Sequence, residues 1–236
     1  MSENKRMDNR YAIIGDIHSN YDSLVLLLSK IGFKIENMKL VNSINRKVIF
    51  VGDLIDRGDK PVETLKLVMG MLLEDQALAV CGNHDEKLLR ALKGSKVKVN
   101  DDLEYTLNEI NKEGLMFKEQ VINFLYNLPL WLSLDNDRLF VVHGGMKAEL
   151  QGIESKKART FALYGDITGE FDENGYPIRR DWAKKYKGKR CVVYGHQIID
   201  EPRWINNTIN VDTGCFKTGI LSLVLYPERE VVQINS

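Results

Sequence analysis

The chain has 236 residues, enough to bury one substantial core, and its 33 basic side chains are matched by 33 acidic ones. That balance excludes an overall field that would draw the protein onto nucleic acid or an anionic membrane. The first ten residues are polar and charged, no apolar run approaches ~18 residues, and Cys81, Cys191 and Cys215 form no CxxC pair, which together predict a cytoplasmic protein with no signal peptide and no membrane span.

A polar tail over residues 1–10 precedes a single expected domain over 11–236. Residues 11–17, 47–54, 77–81 and 138–142 are rich in Val, Ile and Phe and read as short buried strands. After the first, Leu24, Leu27, Leu28 and Ile31 repeat at helical spacing and Gly32 follows as a stop. After the second, Pro61 suits a first helical position, and Leu65, Val68, Met69 and Leu72 repeat the same spacing. A third helix, Glu86 to Lys93, follows the third strand, so the first half predicts βαβ units. Within 95–130, Leu103, Leu107 and Ile110, then Phe117, Val121, Phe124 and Leu128, predict a small helical cap in two pieces broken near Gly114. From 146 to 190 charges and aromatics alternate irregularly, which predicts a long ordered loop region on the substrate side. Thr208 to Val211, Ile220 to Tyr226 and Glu230 to Ile234 return to a strand pattern and are expected to form a second sheet. The architecture read from this order is α/β, a β-sandwich flanked by helices.

Every histidine of the chain lies in a short polar cluster: Gly15-Asp16-Ile17-His18, Gly82-Asn83-His84-Asp85, Val142-His143-Gly144-Gly145 and Tyr194-Gly195-His196. A fifth cluster, Gly52-Asp53-Leu54-Ile55-Asp56-Arg57-Gly58, supplies two carboxylates and an arginine. Each follows an apolar run, the layout of a metal site assembled at the ends of buried strands. Two divalent ions about 4 Å apart can share one carboxylate and activate the water between them. Asp16, His18 and Asp53 would hold one ion, and Asp53, Asn83, His143 and His196 the other. His84 is then free to act as general acid for a leaving oxygen, with Asp56 placed to orient it and raise its pKa. Arg57 offers a planar fork to phosphate oxygens. A lone Asp or His after a strand is more often a capping or hydrogen-bonded residue, but that reading does not explain five clusters in the same position.

Other phosphate chemistries fail on spacing. A cysteine phosphatase needs arginine six residues after its cysteine, and Lys87, Gln197 and Leu221 stand at those offsets. A P-loop needs Gly-x-x-x-x-Gly-Lys, and Ala183 occupies the first position before Gly188-Lys189.

Taken in order, Gly-Asp-Ile-His, Gly-Asp-Leu-Ile-Asp-Arg-Gly, Gly-Asn-His-Asp, His-Gly-Gly and Gly-His resemble the motifs of metallophosphoesterases of the phosphoprotein-phosphatase type. The match is closer to a bacterial branch taken as symmetrical bis(5'-nucleosyl)-tetraphosphatases, through segments such as Leu163-Tyr164-Gly165-Asp166, Pro177 to Ala183 and Asn207 to Cys215. The phosphatase domain of bacterial polynucleotide kinase-phosphatase is also similar. The resemblance implies a calcineurin-like β-sandwich with flanking helices. It also implies a two-metal site usually filled by manganese, with nickel, cobalt, zinc or iron as other ions the donors accept, and a supporting role for Asp212. Ser19-Asn20 and Gln197 depart from the family's usual Gly-Cys and Thr beside the metal ligands.

Hydrolysis of a phosphate ester or anhydride is therefore expected, and the chain retains every ligand and the acid that an inactive binding module would ordinarily lose. The 156–190 region interleaves cations with aromatics, Tyr176 among them; Arg159, Arg179 and Arg180 are candidates for polyphosphate, and Tyr164 and Trp182 for stacking on a base. A solvated charged face with core aromatics has the same composition. The resemblance favours a dinucleoside tetraphosphate, split symmetrically into two ADP, over a phosphoprotein or a phosphorylated polynucleotide end.

Overall fold

The computed structural model describes residues 10–42, 44–173, 175 and 177–236; Met1 to Asn9 of the expected tail, and Tyr176, lie outside the described residues. The chain opens with strand β1 (Tyr11–Ile14), helix α1 (Tyr21–Lys30) and a small hairpin of β2 (Ile35–Glu36) and β3 (Lys39–Leu40). Strand β4 (Lys47–Phe50) and helix α2 (Pro61–Leu73) follow, with Pro61 at the helix start as its fixed φ requires. Next come β5 (Ala77–Ala79), α3 (Asn83–Leu92), α4 (Asp101–Lys112) and α5 (Leu115–Asn127). The break between the last two falls at Gly114, whose φ of 88° suits glycine. Strands β6 (Trp131–Leu134) and β7 (Leu139–Val142) lead to α6 (Lys156–Tyr164) and the hairpin β8 (Ile167–Phe171) and β9 (Pro177–Arg179). The chain then runs through β10 (Cys191–Tyr194), β11 (Trp204–Ile205), β12 (Thr208–Asn210), the short α7 (Cys215–Thr218), β13 (Ile220–Tyr226) and β14 (Glu230–Asn235).

Two five-stranded sheets form, in the orders β14-β13-β1-β4-β5 and β11-β12-β10-β7-β6. Strands β1, β4 and β5 run parallel, as do β7, β10 and β12, while the outer strands pair antiparallel. Side chains alternate between two apolar layers. Tyr11, Ile13, Ile49, Val141, Val193 and Ile209 meet between the sheets. Ala12, Ile14, Val48 and Phe50 face outward onto α1 to α5, and Phe140, Val142, Val192 and Tyr194 face α6 and Trp182. Strands buried on both faces show why they read as unbroken apolar runs. The layers are thus helices, sheet, sheet, helices, the sandwich expected from the sequence.

The strands are dealt between the sheets differently from the expectation. Residues 220–226 and 230–235 do not join a second sheet but complete the first, where β13 lies against β1 in the register Tyr11 to Tyr226. Strand β7, expected in the first series, belongs to the second sheet beside β10. Pairing over two hundred residues of separation leaves no local sequence mark. The 146–190 segment is also more regular than a loop, because Ser155 caps α6 by accepting the Ala158 N–H at 3.1 Å and the hairpin β8–β9 follows. Among the described residues no helix is long and apolar enough to cross a membrane. The three cysteines are free and buried.

Candidate metal centre

All five clusters converge at the C-terminal edge of the parallel strands. The turn after β1 carries Asp16 and His18, the turn after β4 carries Asp53, Asp56 and Arg57, and α3 opens with Asn83 and His84 after β5. From the other sheet, His143 follows β7, His196 follows β10 and Asp212 follows β12. His18, Asp53, Asp56, Arg57 and His196 have positive φ, an uncommon conformation for residues with a Cβ and one that concentrates at functional turns. Glycine makes room for the carboxylates: a Cβ on Gly195 would stand 2.1 Å from Asp16 Oδ1, and one on Gly82 would stand 2.2 Å from Asp53 Oδ1.

Asp53 lies at the centre, 2% exposed. Its Oδ2 faces His18 Nε2 at 3.6 Å and its Oδ1 faces His143 Nε2 at 3.5 Å, so one carboxylate addresses imidazoles on two sides. Both rings are held from behind by backbone carbonyls, with His18 Nδ1 donating to Ile55 O at 2.9 Å and His143 Nδ1 donating to Val51 O at 3.0 Å. A carbonyl only accepts, so each Nδ1 carries the proton. Burial is the main influence on both rings and outweighs the attraction of Asp53, taking His18 down to about 4 and lowering His143 as well. Neutral rings in this tautomer turn the Nε2 lone pair toward the centre. His143 Nε2 also meets Asn83 Oδ1 at 3.0 Å and His196 Nδ1 at 3.1 Å.

The result is a set of buried acceptors facing one another. Burial, then Asp212 and Asp53, push the Asp16 carboxyl well above the usual carboxylate range. Burial pushes Asp212 up to about 7, with the nearby Asp53 charge adding to it. The Nε2 lone pairs of His18 and His143, Asn83 Oδ1 and the Asp53 carboxylate converge in a way that fits divalent cations, and the carbonyl-anchored imidazoles have the outer hydrogen bond common to metal-ligating histidine. Donor atoms of Asp53, His143 and His196 lie within 4.8 Å of one another, as do those of His18, Asp53 and His84. Asp16 is not in either group; its carboxylate accepts the His196 N–H at 3.1 and 3.2 Å, from Oδ2 and Oδ1.

His84 lies at the mouth. Its Nδ1 meets Asp56 Oδ2 at 2.7 Å, and Nε2 faces Arg57 Nη2 at 3.3 Å. Burial opposes a charge on His84, but Asp53 and the Asp56 hydrogen bond overcome it and hold the pKa above its ordinary value. Arg57 is steadied over the Phe216 ring at 4.2 Å.

The remaining sequence candidates divide. Arg179, at the end of β9, reaches the centre with Nη2 2.9 Å from His196 Nε2 and its Nε on Tyr164 O at 3.0 Å. Arg159 pairs with Glu86, and Arg180 pairs with Asp166 at 3.5 Å; both are exposed. The Tyr164 ring is half-open and lies 6.2 Å from that of His196. Trp182, a stacking candidate from the sequence, is 6% exposed and packed against Phe161, Tyr186 and Tyr194, so most of its ring belongs to the core.

The sequence reading gave no role to Asp85, named only as part of its cluster, and did not single out Thr106. Asp85 is fully buried and accepts the N–H groups of Asp53, Leu54 and Gly82 at 2.8, 3.0 and 2.9 Å, tying the Asp53 turn to the start of α3. Its position three residues after Gly82, at a helix start, was the available signal. Thr106 of α4 donates its hydroxyl to Asp56 Oδ1 at 2.8 Å, a contact no motif marks. A wider cavity of about 700 Å³, bounded by Tyr11, Lys47 and Gln76, lies at the opposite ends of the strands and contains none of the clustered donors.

With this fold and this cluster in view, the chain belongs to the calcineurin-like phosphoesterase family, whose match covers residues 10–220. It is 41% identical over 230 residues to an Anoxybacillus flavithermus protein named bis(5'-nucleosyl)-tetraphosphatase PrpE [asymmetrical], covering 96% of this chain and 94% of the relative. The Bacillus subtilis strain 168 protein of the same name is 43% identical over 230 residues, with the same coverage of 96% and 94%. Among solved structures, a candidate diadenosine tetraphosphatase superposes with a TM-score of 0.69 at 22% identity, covering 97% of this chain and 94% of its own. A Saccharomyces cerevisiae protein serine/threonine phosphatase gives 0.65 at 16% identity, covering 99% and 82%, so these two show the fold alone. The family implies divalent metal ions, and the acceptor cluster fits them. The relatives' names overturn the symmetric cut expected from the sequence.

Proposed function

We propose that this chain is a metal-dependent hydrolase that cuts bis(5'-nucleosyl) tetraphosphates asymmetrically, giving ATP and AMP from diadenosine tetraphosphate. The observation that carries this reading is identity of 41% and 43%, over nearly the whole of both chains, to relatives named for that activity. Asp16, His18 and Asp53 would hold one divalent ion, and Asp53, Asn83, His143 and His196 a second, with manganese the first choice for this oxygen and nitrogen set. Bound ions would supply Lewis acidity and a more acidic water.

The chain's own groups do the rest. Asp53 presents one oxygen to each side, Asp85 supports the turn that carries it, and Asp56 fixes His84 so that Nε2 can deliver a proton to the departing oxygen. Arg57 and Arg179 flank the centre on the His84 and His196 sides and are placed to grip phosphate oxygens. The buried free cysteines agree with a cytoplasmic setting.

Chromatography of products from diadenosine tetraphosphate, run beside a phosphopeptide and a 3'-phosphorylated oligonucleotide, tests the reading. ATP and AMP in equal amounts are expected. Two ADP, or a preference of a hundredfold or more for either rival substrate, would overturn it.

A further inference from the structure

A cavity of about 280 Å³ opens beside the centre, between residues 179–182, the segment 197–205 and Asn210. Two of its lining residues adjoin the candidate ligand His196. His196 turns Nδ1 to His143 and Nε2 to Arg179, and Arg179 is itself part of the cavity lining, as is Gln197, the residue after His196. One guanidinium therefore separates the cavity from the outer nitrogen of a candidate ligand. The half-buried Ile199 and Ile205 and the edge of Tyr194 give it an apolar floor, while Asp181 and Arg180 stand at its exposed rim. Gln197, Glu201, Arg203 and Asn210 add polar groups that can meet a ribose and a base edge, Trp182 adds an aromatic wall, and this volume is close to the ~300 Å³ lower bound of small-molecule pockets. It has room for one nucleoside.

We infer that this cavity holds the nucleoside attached directly to the phosphorus under attack, with Arg179 bridging phosphate and pocket. The inference rests on the asymmetric reading proposed above and fixes which bond breaks. In a symmetric cut the nucleoside on the attacked side is separated from the reacting phosphorus by another phosphate, which a cavity one side chain from the centre does not accommodate. With the nucleoside here, a water oxygen bonds to the first phosphorus, and the bond from that phosphorus to the oxygen bridging to the second breaks. The bridging oxygen leaves with its electron pair as the terminal phosphate oxygen of ATP, protonated by His84, while the water's spare proton goes to solvent and AMP retains the new oxygen. The departing triphosphate lies toward His84 and Arg57, on the other side of the centre from the cavity.

The test uses direct binding, so that it does not depend on turnover. Titration calorimetry of the manganese-loaded protein with AMP and with ribose 5-phosphate should give a Kd at least tenfold lower for AMP. In Ile199→Trp, which fills the cavity, the two constants should come within about twofold, the gain from the base being lost. Equal constants in the wild type, or an unchanged ratio in a folded Ile199→Trp protein, would overturn the pocket. Should that variant fail to fold, photolabelling of the wild type with 8-azido-AMP decides the matter: label within residues 177–210 supports the inference, and label confined elsewhere refutes it. Hydrolysis in ¹⁸O-water should place the heavy oxygen in AMP, and its appearance in ATP would reverse the assignment. Failure of the parent reading shows separately, as the absence of ATP and AMP among the products.

Discussion

The Thr106 hydroxyl donates to Asp56 Oδ1 at 2.8 Å while the other oxygen of that carboxylate holds His84 Nδ1 at 2.7 Å. Helix α4 thus reaches down from the helical layer and locks the carboxylate that holds His84, the proposed acid. Thr106→Val keeps the shape and removes a hydrogen bond to a charged acceptor, worth ~1.5–3 kcal/mol. Turnover of alkyl phosphate esters should fall by roughly tenfold, equivalent to ~1.4 kcal/mol, with metal content unchanged and with Thr106→Ser near wild type. Steady-state kinetics and metal analysis decide; full activity in the valine variant would remove α4 from the mechanism.

Asp56→Asn retains an oxygen for His84 and removes its charge. Because the Asp56 contact helps hold the His84 pKa above its ordinary value, the variant's pKa should fall. A general acid works only while protonated, so the alkaline limb of the kcat profile should move to lower pH. His84→Ala should slow alkyl esters far more than p-nitrophenyl phosphate, whose leaving group departs unaided. Equal losses on both esters would deny His84 the role.

Asp53→Asn removes the carboxylate that faces both His18 and His143. Both ions should be lost together, where Asp16→Ala should leave partial occupancy. Metal analysis and kinetics test this: activity within about tenfold of wild type, a loss of only ~1.4 kcal/mol, would show that Asp53 is not the shared ligand.

Binding of manganese at pH 6 should release protons. Burial, with neighbouring carboxylates adding, keeps Asp16 protonated well above its usual range and puts Asp212 at about 7. An unfolded chain holds such carboxyls near ~3.9, so the metal-free fold binds the extra protons; that contribution to stability is complete below ~4 and is lost as pH rises through about 7. His18 and His143, lowered by burial, oppose this slope, which makes proton release a cleaner readout than melting temperature. Calorimetry in two buffers of different ionisation enthalpy should show release at pH 6 and less at pH 8; uptake at pH 6 would contradict the carboxyl assignment.

Trp182→Ala should unfold more easily by ~3–5 kcal/mol, the range for a large aromatic removed from a core. Urea denaturation measures it, and a change under ~1 kcal/mol would return Trp182 to the surface.

The convergence of the five clusters was easier to read from the sequence than the pairing of the strands. Asp16, His18, Asp53, Asn83, His84, His143 and His196 each stand just after a strand, and strand ends are legible from apolar runs stopped by glycine. That local signal is enough to bring them together, because parallel strands in one sandwich end at one edge. What β13 pairs with is a different kind of question: its partner β1 is more than two hundred residues away, and either sheet would satisfy its apolar alternation. The same limit hid Thr106, whose hydroxyl finds Asp56 across fifty residues, and let Trp182 pass for a stacking platform, since composition does not say which aromatics the core claims. The cavity lined by Arg179 and Ile199 likewise falls in a segment where no motif repeats.

Strand β1 is the middle strand of its sheet, and one of its two neighbours, β13, ends at residue 226. A ribosome working from the amino end therefore exposes Tyr11 to Ile14 long before their antiparallel partner exists, and the opposite sheet that supplies His143 and His196 also comes late. The nascent chain carries Asp16, His18 and Asp53 without the rest of their cage. Long-range pairing of this kind makes for slow closure and a period of exposed strand edge. Metal uptake by this protein should consequently be a late event in its biogenesis, following release of residues 220–235 from the exit tunnel, and the bound ion would then act as a seal across two sheets made at different times.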